Sequence, residues 1–442
     1  MKTAILILLG LAICLTALGQ LRVVKYYDPS RKQHVQEDYY VLESDPETLQ
    51  GPYKRYYPDG HLEMEGNYEE GKRHGEFREY YENGKLQRLI TYKGGLRHGP
   101  VAVYSEDGVL LQRANYEQNL LVDSVRSYFA SGGRSHESAF VKGKPDGVVK
   151  EYYSGGQIKK EITYKNRKPN GLTRTYYLTG ILETEANFAD GVMSGFYKKY
   201  YPNGQLETVS TMKDGSKTGE FRNYDDAGHL LLEGYFMNGR LHGDNTAYYP
   251  EGAVLHRFKY VLGAKVGTNN TYYPNGNIKL SESVSLNGQE VEAESFRSDG
   301  SREYIRHYRK DKPHGKWVSY FADGKTAQVI EFYENGKLHG IRSQFHENGN
   351  KAIEEPYQFN LITGTVKNYD KDGNLQSVCD FRSSRMHGKF IGYYPSGKIK
   401  EEGDYVANRK HNQWKEYDEA GNVTRSYTFK AGRLTEDSAG KN

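Results

Sequence analysis

A glycine returns every 24 residues along this chain, and that regularity leaves few folds open to it. It stands at Gly60, Gly84, Gly108, Gly132, Gly156, Gly180, Gly204, Gly228, Gly252, Gly276, Gly300 and Gly324, then after one inserted residue at Gly349, Gly373, Gly397 and Gly421, sixteen repeats in all. Four residues before each glycine is an aromatic side chain, tyrosine in fourteen repeats and phenylalanine at Phe296 and Phe345. Eight residues after the glycine the chain is again apolar, as at Tyr68, Tyr92, Phe188, Met212, Phe236, Tyr260, Val284 and Phe381. Periods of this size belong to solenoids, propellers and linear arrays, in which each repeat buries its apolar face against its neighbours.

One repeat reads as one β-hairpin. In Gly195 to Thr218 a strand, Phe196 to Tyr201, runs into Pro202-Asn203-Gly204, and a second strand, Gln205 to Met212, ends at Lys213-Asp214-Gly215. Proline sets φ at the start of the turn, asparagine tolerates the next position, and glycine accepts the left-handed conformation that closes a bulged hairpin. Side chains alternate along a strand, so Leu206, Thr208, Ser210 and Met212 share a side. The counterparts of Leu206 include Leu62, Leu86, Leu110, Ile158, Leu182, Leu230, Val254, Ile278, Leu375 and Ile399, and those of Ser210 are mostly small, such as Gly66, Ala114, Ser138, Ala186 and Gly234. That side is expected to be buried. Cys379 occupies the same small inward position, which suits a packed structural thiol better than a nucleophile needing an accessible, electropositive setting.

The expected fold is all-β: an elongated, twisted antiparallel ribbon of about sixteen 24-residue hairpins in a single solenoid-like array over residues 51–434. Residues 1–19 read as a signal peptide, with Lys2, an apolar run from Ala4 to Leu18, and small residues in Ala17-Leu18-Gly19. The run is short for a transmembrane anchor, and Cys14, preceded by Ile13 inside it, is poorly placed for lipid attachment. Residues 20–50 read as an atypical N-terminal cap, with strands at Val23 to Tyr27 and Tyr39 to Leu42, and Asp28-Pro29 and Asp45-Pro46 breaking the phase. Residues 435–442 read as a polar tail. The protein is therefore expected to be exported, to periplasm, cell envelope or medium, with no integral membrane segment once the signal is cleaved. Of its 2 cysteines, cleavage would leave Cys379 alone, excluding an intramolecular disulfide. Its 61 Lys and Arg against 57 Asp and Glu are well mixed, which argues against nucleic acid or an anionic membrane as partner.

The stretch Tyr80 to Gly99, YYENGKLQRLITYKGGLRHG, and its counterpart Tyr393 to His411 resemble the variant MORN repeat found in many bacterial exported proteins and in proteins labelled antitoxin-like. The resemblance covers about residues 51–434. It implies an extended ribbon of hairpins that binds or spaces other components, and it brings no catalytic residues. Tyr224-Asp225-Asp226-Ala227-Gly228, Tyr369 to Gly373 and Tyr417 to Gly421 are locally similar to the YD repeats of toxin-encapsulating shells.

Chemistry is scarce. His74, His98, His242, His314, His339, His387 and His411 precede successive repeats, and equivalent positions lie about 9.5 Å apart, two strand spacings, too far for shared ligation of one metal. They are expected to be loop histidines making turn contacts. Glu183, Glu207 and Glu233 meet the same objection as a catalytic pair. Ala322 to Thr326 ends like a phosphate loop, but Ser319 stands where the first glycine belongs and no helix is expected to follow. No catalytic residue, cofactor or metal is expected, and the chain is read as a non-enzyme.

One row asks for more than packing. The residue after the invariant aromatic is itself aromatic in ten repeats, including Phe129, Tyr153, Tyr177, Tyr201, Tyr249 and Tyr273, and on the opposite side of the strand it would suit a protein partner or a sugar ring. The functional expectation is a binding or scaffolding module for a protein partner; an antitoxin or immunity-like inhibitor and an envelope glycan-binding module are the alternatives.

Thirty-two strands at about 4.8 Å each would extend on the order of 150 Å, with about two full turns of accumulated twist. Small-angle scattering of the mature protein is expected to give a radius of gyration of ~30–40 Å, and a value near the ~22 Å of a compact globule would mean that the hairpins close into a barrel or propeller.

Overall fold

The repeat glycines all adopt left-handed backbone, with φ of 92° at Gly60, 87° at Gly204 and 94° at Gly421. This computed structural model describes residues 19–439, so the expected signal segment lies outside the described residues except for Gly19. In a typical turn the amide of Gly204 donates to the carbonyl of Tyr201 at 2.8 Å, the amide of Tyr201 donates to the carbonyl of Gln205 at 2.8 Å, and Asn203 Oδ1 accepts from the amide of Gln205 at 3.0 Å. Tyr57 to His61 and Tyr394 to Lys398 repeat the two backbone bonds. The sign of φ at the glycine is what lets two strands leave such a turn with matched twist.

The described residues contain forty strands, five of them two-residue pieces, and no helix. The described residues divide into two units, one up to residue 205 with 212–215, and the other 206–211 with those from 216 onward. In the first unit, Gln20–Asp28 pairs antiparallel with Gln33–Leu42, that strand with Asp45–Tyr56, and the order continues strand by strand to Val192–Tyr200. In the second, the same sequential pairing runs from Ser216–Tyr224 through Leu230–Met237 to Val423–Lys430 and Arg433–Ala439. The fold is thus an antiparallel ribbon of consecutive hairpins. Asp45-Pro46 opens the strand Asp45–Tyr56, and the register shifts there, with Leu42 facing Asp45 and Val41 facing Leu49. Residues 435–439, read above as part of a polar tail, pair with Val423–Lys430, where Asp437 takes a fork from Arg425 at 2.6 and 3.1 Å. Their polarity is that of strand residues paired along one side.

Of the histidines expected in loops, His74, His98, His387 and His411 lie inside strands, and His242, His314 and His339 stand at one-residue breaks between two strand pieces. His74 lies within Lys72–Tyr80, and Gly75 after it has φ 75°, with the register shifting between Glu65 and Asn67 on the facing strand. This is a bulge in mid-ladder, where left-handed glycine lets the strand that carries the histidine take two residues more than its partner. The histidines hold the bulge: His74 Nδ1 meets Glu69 Oε2 at 2.8 Å, and the amides of His314 and His339 donate to the carbonyls of His307 and Phe332 at 2.9 and 2.8 Å.

The core is a file rather than a centre. The buried residues of Tyr53, Phe77, Phe221, Val366 and Trp414 stand seven positions before a repeat glycine, and Ala114, Ala186, Ser210 and Cys379 six after one. Large residues of the first set cover small ones of the second, so Phe77 lies over Gly66 and Trp414 over Gly403. Rings follow one another as Tyr39, Tyr53, Tyr68, Phe77 and Tyr92, with centroids 5.9, 5.5, 5.4 and 5.3 Å apart. The leucine positions two after the glycine are only half-buried, and Ile399 is exposed, because they flank the turn where the ladder ends. Cys379 is buried without a disulfide partner, and burial, with Asp380 beside it, pushes its thiol up to about 11, as a structural thiol requires.

Two glycines separate the two demands on this residue. A Cβ at Gly66 would lie 2.5 Å from the Phe77 ring, whereas a Cβ at Gly60 would meet nothing within 4 Å but would sit at φ 92°. Gly66→Ala and Gly60→Ala are each expected to cost about 1–3 kcal/mol in thermal or denaturant unfolding. Adding Phe77→Leu should recover part of the first loss and none of the second.

Candidate binding surface

The paired aromatics of each repeat bond in opposite directions along the chain. The first reaches back: the hydroxyls of Tyr80, Tyr152, Tyr176, Tyr248, Tyr369 and Tyr417 donate to Glu65, Glu137, Glu161, Glu233, Glu354 and Glu402 of the preceding repeat at 2.7–3.2 Å. The second reaches forward: Tyr57, Tyr81, Tyr153, Tyr177, Tyr249, Tyr273 and Tyr394 donate to the backbone carbonyl 23 residues on, at 2.7–3.0 Å. Arg297 makes the same bridge to Tyr320 at 3.0 Å and His346 to Tyr369 at 3.2 Å. Tyr27 does so to Tyr56 at 2.7 Å across 29 residues, a bridge of the array's kind with six more residues between its ends.

The row singled out for a partner is therefore half-buried, not fully open. Phe129, Tyr153, Tyr177, Tyr201, Tyr249 and Tyr273 are all of intermediate exposure. Four of the hydroxyls, those of Tyr153, Tyr177, Tyr249 and Tyr273, are committed to backbone carbonyls, which leaves the rings as the available surface. Where aspartate replaces the second aromatic, the bond turns inward: Asp225, Asp370 and Asp418 accept the amides of His229, Asn374 and Asn422 in their own turns, each at 2.8 Å. These amides and side chains hold the three carboxyls below their usual range.

The glutamates that receive the first tyrosine belong to a cross-strand row of charge. In the first unit Arg126, Glu137, Lys150, Glu161, Arg174 and Glu185 face one another on successive strands. Ion pairs close at 2.7 Å for Arg126 and Glu137, 3.1 Å for Lys150 and Glu161, and 2.8 Å for Arg174 and Glu185. Arg126 holds the Glu137 carboxyl below its ordinary range; at Glu161 burial opposes the shift and Lys150 with Tyr176 outweighs it. Burial and Glu65 push the Tyr80 hydroxyl up to about 12. From Arg126 to Glu185 the polar face thus pairs its own charges. Glutamate five after the glycine is the signal in the sequence that marks this row, and without the strand register its partner cannot be assigned.

Among the described residues no group of three or more His, Cys, Asp or Glu is placed to hold a metal ion, and no helix is long and apolar enough to cross a membrane. Hollows on the sheet are troughs lined by neighbouring strands, such as the one of about 300 Å³ along Glu220, Arg222, Glu233, Asp244 and Thr246.

The model of the MORN repeat variant matches eight segments, residues 49–70, 73–93, 97–118, 145–166, 195–214, 338–358, 362–382 and 386–407. No curated protein matches the chain significantly. Among solved structures it is similar to the Photorhabdus luminescens Tc holotoxin pore with the mutation TccC3-D651A, at 11% identity over 89% of this chain and 24% of that one, with a TM-score of 0.14. It is also similar to the complex TcdB2-TccC3-Cdc42, at 11% identity over 95% of this chain and 31% of that one, with a TM-score of 0.12. The chain spans about a quarter to a third of the length of those proteins. By sequence, the chain is similar to MORN-variant repeats over those eight segments.

Tyr177→Phe removes the forward bond and keeps the ring, and is expected to cost about 0.5–1.5 kcal/mol in unfolding, more than the same change at an exposed tyrosine. The depressed Glu137 carboxyl adds stability that is present above its ordinary 4.5 and lost as pH falls through its lower folded value. Melting temperature should therefore fall in acid, and Glu137→Gln should flatten that slope while lowering the value at pH 7.

Proposed function

We propose that the protein is exported and serves as a non-catalytic binding or scaffolding module for a protein partner, with the rings of Phe129, Tyr153, Tyr177, Tyr201, Tyr249 and Tyr273 in the contact surface. The observation that supports this reading is the commitment of tyrosine hydroxyls to backbone carbonyls on a ladder. Rings fixed in this way offer area to a partner with little further entropy to lose on binding, which is how aromatic anchors contribute at interfaces. Troughs between strands favour an extended contact over an enclosed reaction site. Inhibition of the bound protein, as in antitoxins, is a special case of the same activity.

The test is affinity capture from the exporting cell with the mature chain as bait, followed by titration of the recovered partner. A stoichiometric protein is expected. Tyr153, Tyr177 and Tyr201 replaced together by Phe should retain binding, and replaced together by Ser should weaken it at least about tenfold, with circular dichroism confirming the fold. Retention of envelope glycan with no protein, or unchanged binding by the Ser variant, would reject the proposal.

A further inference from the structure

Turns of two kinds alternate along the antiparallel ribbon, one closed by the repeat glycine and one formed by the residues nine to thirteen after it, so within a unit they fall on opposite edges. In the second unit those edges carry opposite charge. Its repeat-glycine turns, from Gly228 to Gly421 and counted from three residues before each glycine to one after, hold ten Asp and Glu against four Lys and Arg. The other turns of the same repeats hold twelve Lys and Arg against two Asp and Glu. Composition mixes the two signs, and strand topology sorts them.

The basic edge is densest on three successive turns, 382–386, 406–410 and 430–434, which carry Arg382, Arg385, Arg409, Lys410, Lys430 and Arg433 and no acidic residue. Lys410 lies over the Trp414 ring, 3.7 Å from its centroid. The other five are exposed, and among the described residues their side chains form no ion pair or hydrogen bond. On the acidic edge Glu251, Glu347, Asp372 and Glu419 are likewise exposed, with carboxyls that take part in neither. Asp370 and Asp418, bound to amides of their own turns, add charge that those bonds hold in the ionised form.

We propose that the basic edge of the second unit docks on the acidic edge of a second copy of this chain, so that copies associate side by side. Turns of either kind recur every two strands, so both edges space their charges at the same interval of about 9.5 Å. A second copy therefore presents carboxylates at the pitch of the arginines and lysines, a match that a lipid surface or a flexible polyanion does not supply. Each exposed pair contributes little alone, and the docking rests on several acting along one line. The two edges differ, so the contact is heterologous and leaves every copy with an edge still free. It also leaves both faces of the sheet open, and it stands whether or not the aromatic row binds a protein.

Sedimentation velocity of the purified protein at about 0.01 M and about 1 M salt, where charges reach about 30 Å and about 3 Å, tests this directly. At low salt the weight-average mass should rise with concentration to at least about twice that of the monomer, and at high salt it should return to the monomer. One variant reverses the basic edge with Arg382→Glu, Arg385→Glu, Arg409→Glu, Lys430→Glu and Arg433→Glu; another reverses the acidic edge with Glu251→Lys, Glu347→Lys, Asp372→Lys and Glu419→Lys. Each alone should stay monomeric at low salt, and their mixture should associate, which also shows that both are folded. A monomer at low salt, association that survives high salt, association of either variant alone, or a mixture that stays monomeric would each overturn the assignment. Binding of monomeric protein to phosphatidylglycerol vesicles, lost when the basic edge is reversed, would overturn it too and give that edge to an anionic surface.

Discussion

The hydroxyl of one tyrosine on the backbone carbonyl of the next repeat is the interaction on which this architecture depends. A lone hairpin is marginal in water, and a ribbon of hairpins gains stability only from what each passes to its neighbour. Here the neighbour is engaged three ways. The ladder pairs strand to strand, Tyr80 returns to Glu65 at 2.8 Å, and Tyr81 advances to Tyr104 at 2.8 Å. The opposite edge adds a backbone bond of the same kind, with the amides of Gly71 and Gly95 donating to Leu49 and Arg73 at 2.9 Å. Because each bond joins adjacent repeats only, stability is local and additive along the chain. Ser105, which accepts the amide of Val109 in its own turn, and the turns of Asp225, Asp370 and Asp418 forgo the forward bond and close on themselves.

Two faces of one sheet meet different constraints. On the packed face, large and small alternate across the ladder, so Phe77 requires Gly66 and Trp414 requires Gly403. On the polar face, charge alternates across the ladder, so Arg174 requires Glu185 and Lys150 requires Glu161. A face whose ions are already paired offers a visitor little electrostatic gain, since displacing a partner costs what the new contact returns. The alternation lapses at Arg257, which faces Thr246 and Asn270. The aromatic row follows a related logic: its polar tips are spent on the fold, and its rings remain.

Several histidines show why composition misleads in such a chain. The pairs at His74 and Gly75 or His314 and Gly315 read as turn punctuation, yet His74 lies inside a strand and His314 at a one-residue break between two strand pieces, because a bulge and a turn both need glycine with positive φ. The same ambiguity affected residues 435–439, whose polar sequence suits a tail and also suits a strand paired through Arg425 and Asp437.

The amino-acid sequence by itself determined the repeat, the hairpin, the turn chemistry and the all-β class, because glycine, the aromatic pair and period-two alternation are local signals that recur too often to be accidental. It also placed Cys379 in a packed position. What it could not determine was the destination of any side chain beyond its own repeat. Whether Tyr177 faces a partner or bridges to Tyr200, whether Glu161 is solvated or held by Lys150 and Tyr176, and whether Arg257 meets a carboxylate all depend on strand register. Register is set by two bulges per repeat acting across neighbouring strands, and a shift of one residue sends every side chain to the other face. Only the tertiary structure could decide it, because the pairing partner lies a full strand away in the chain.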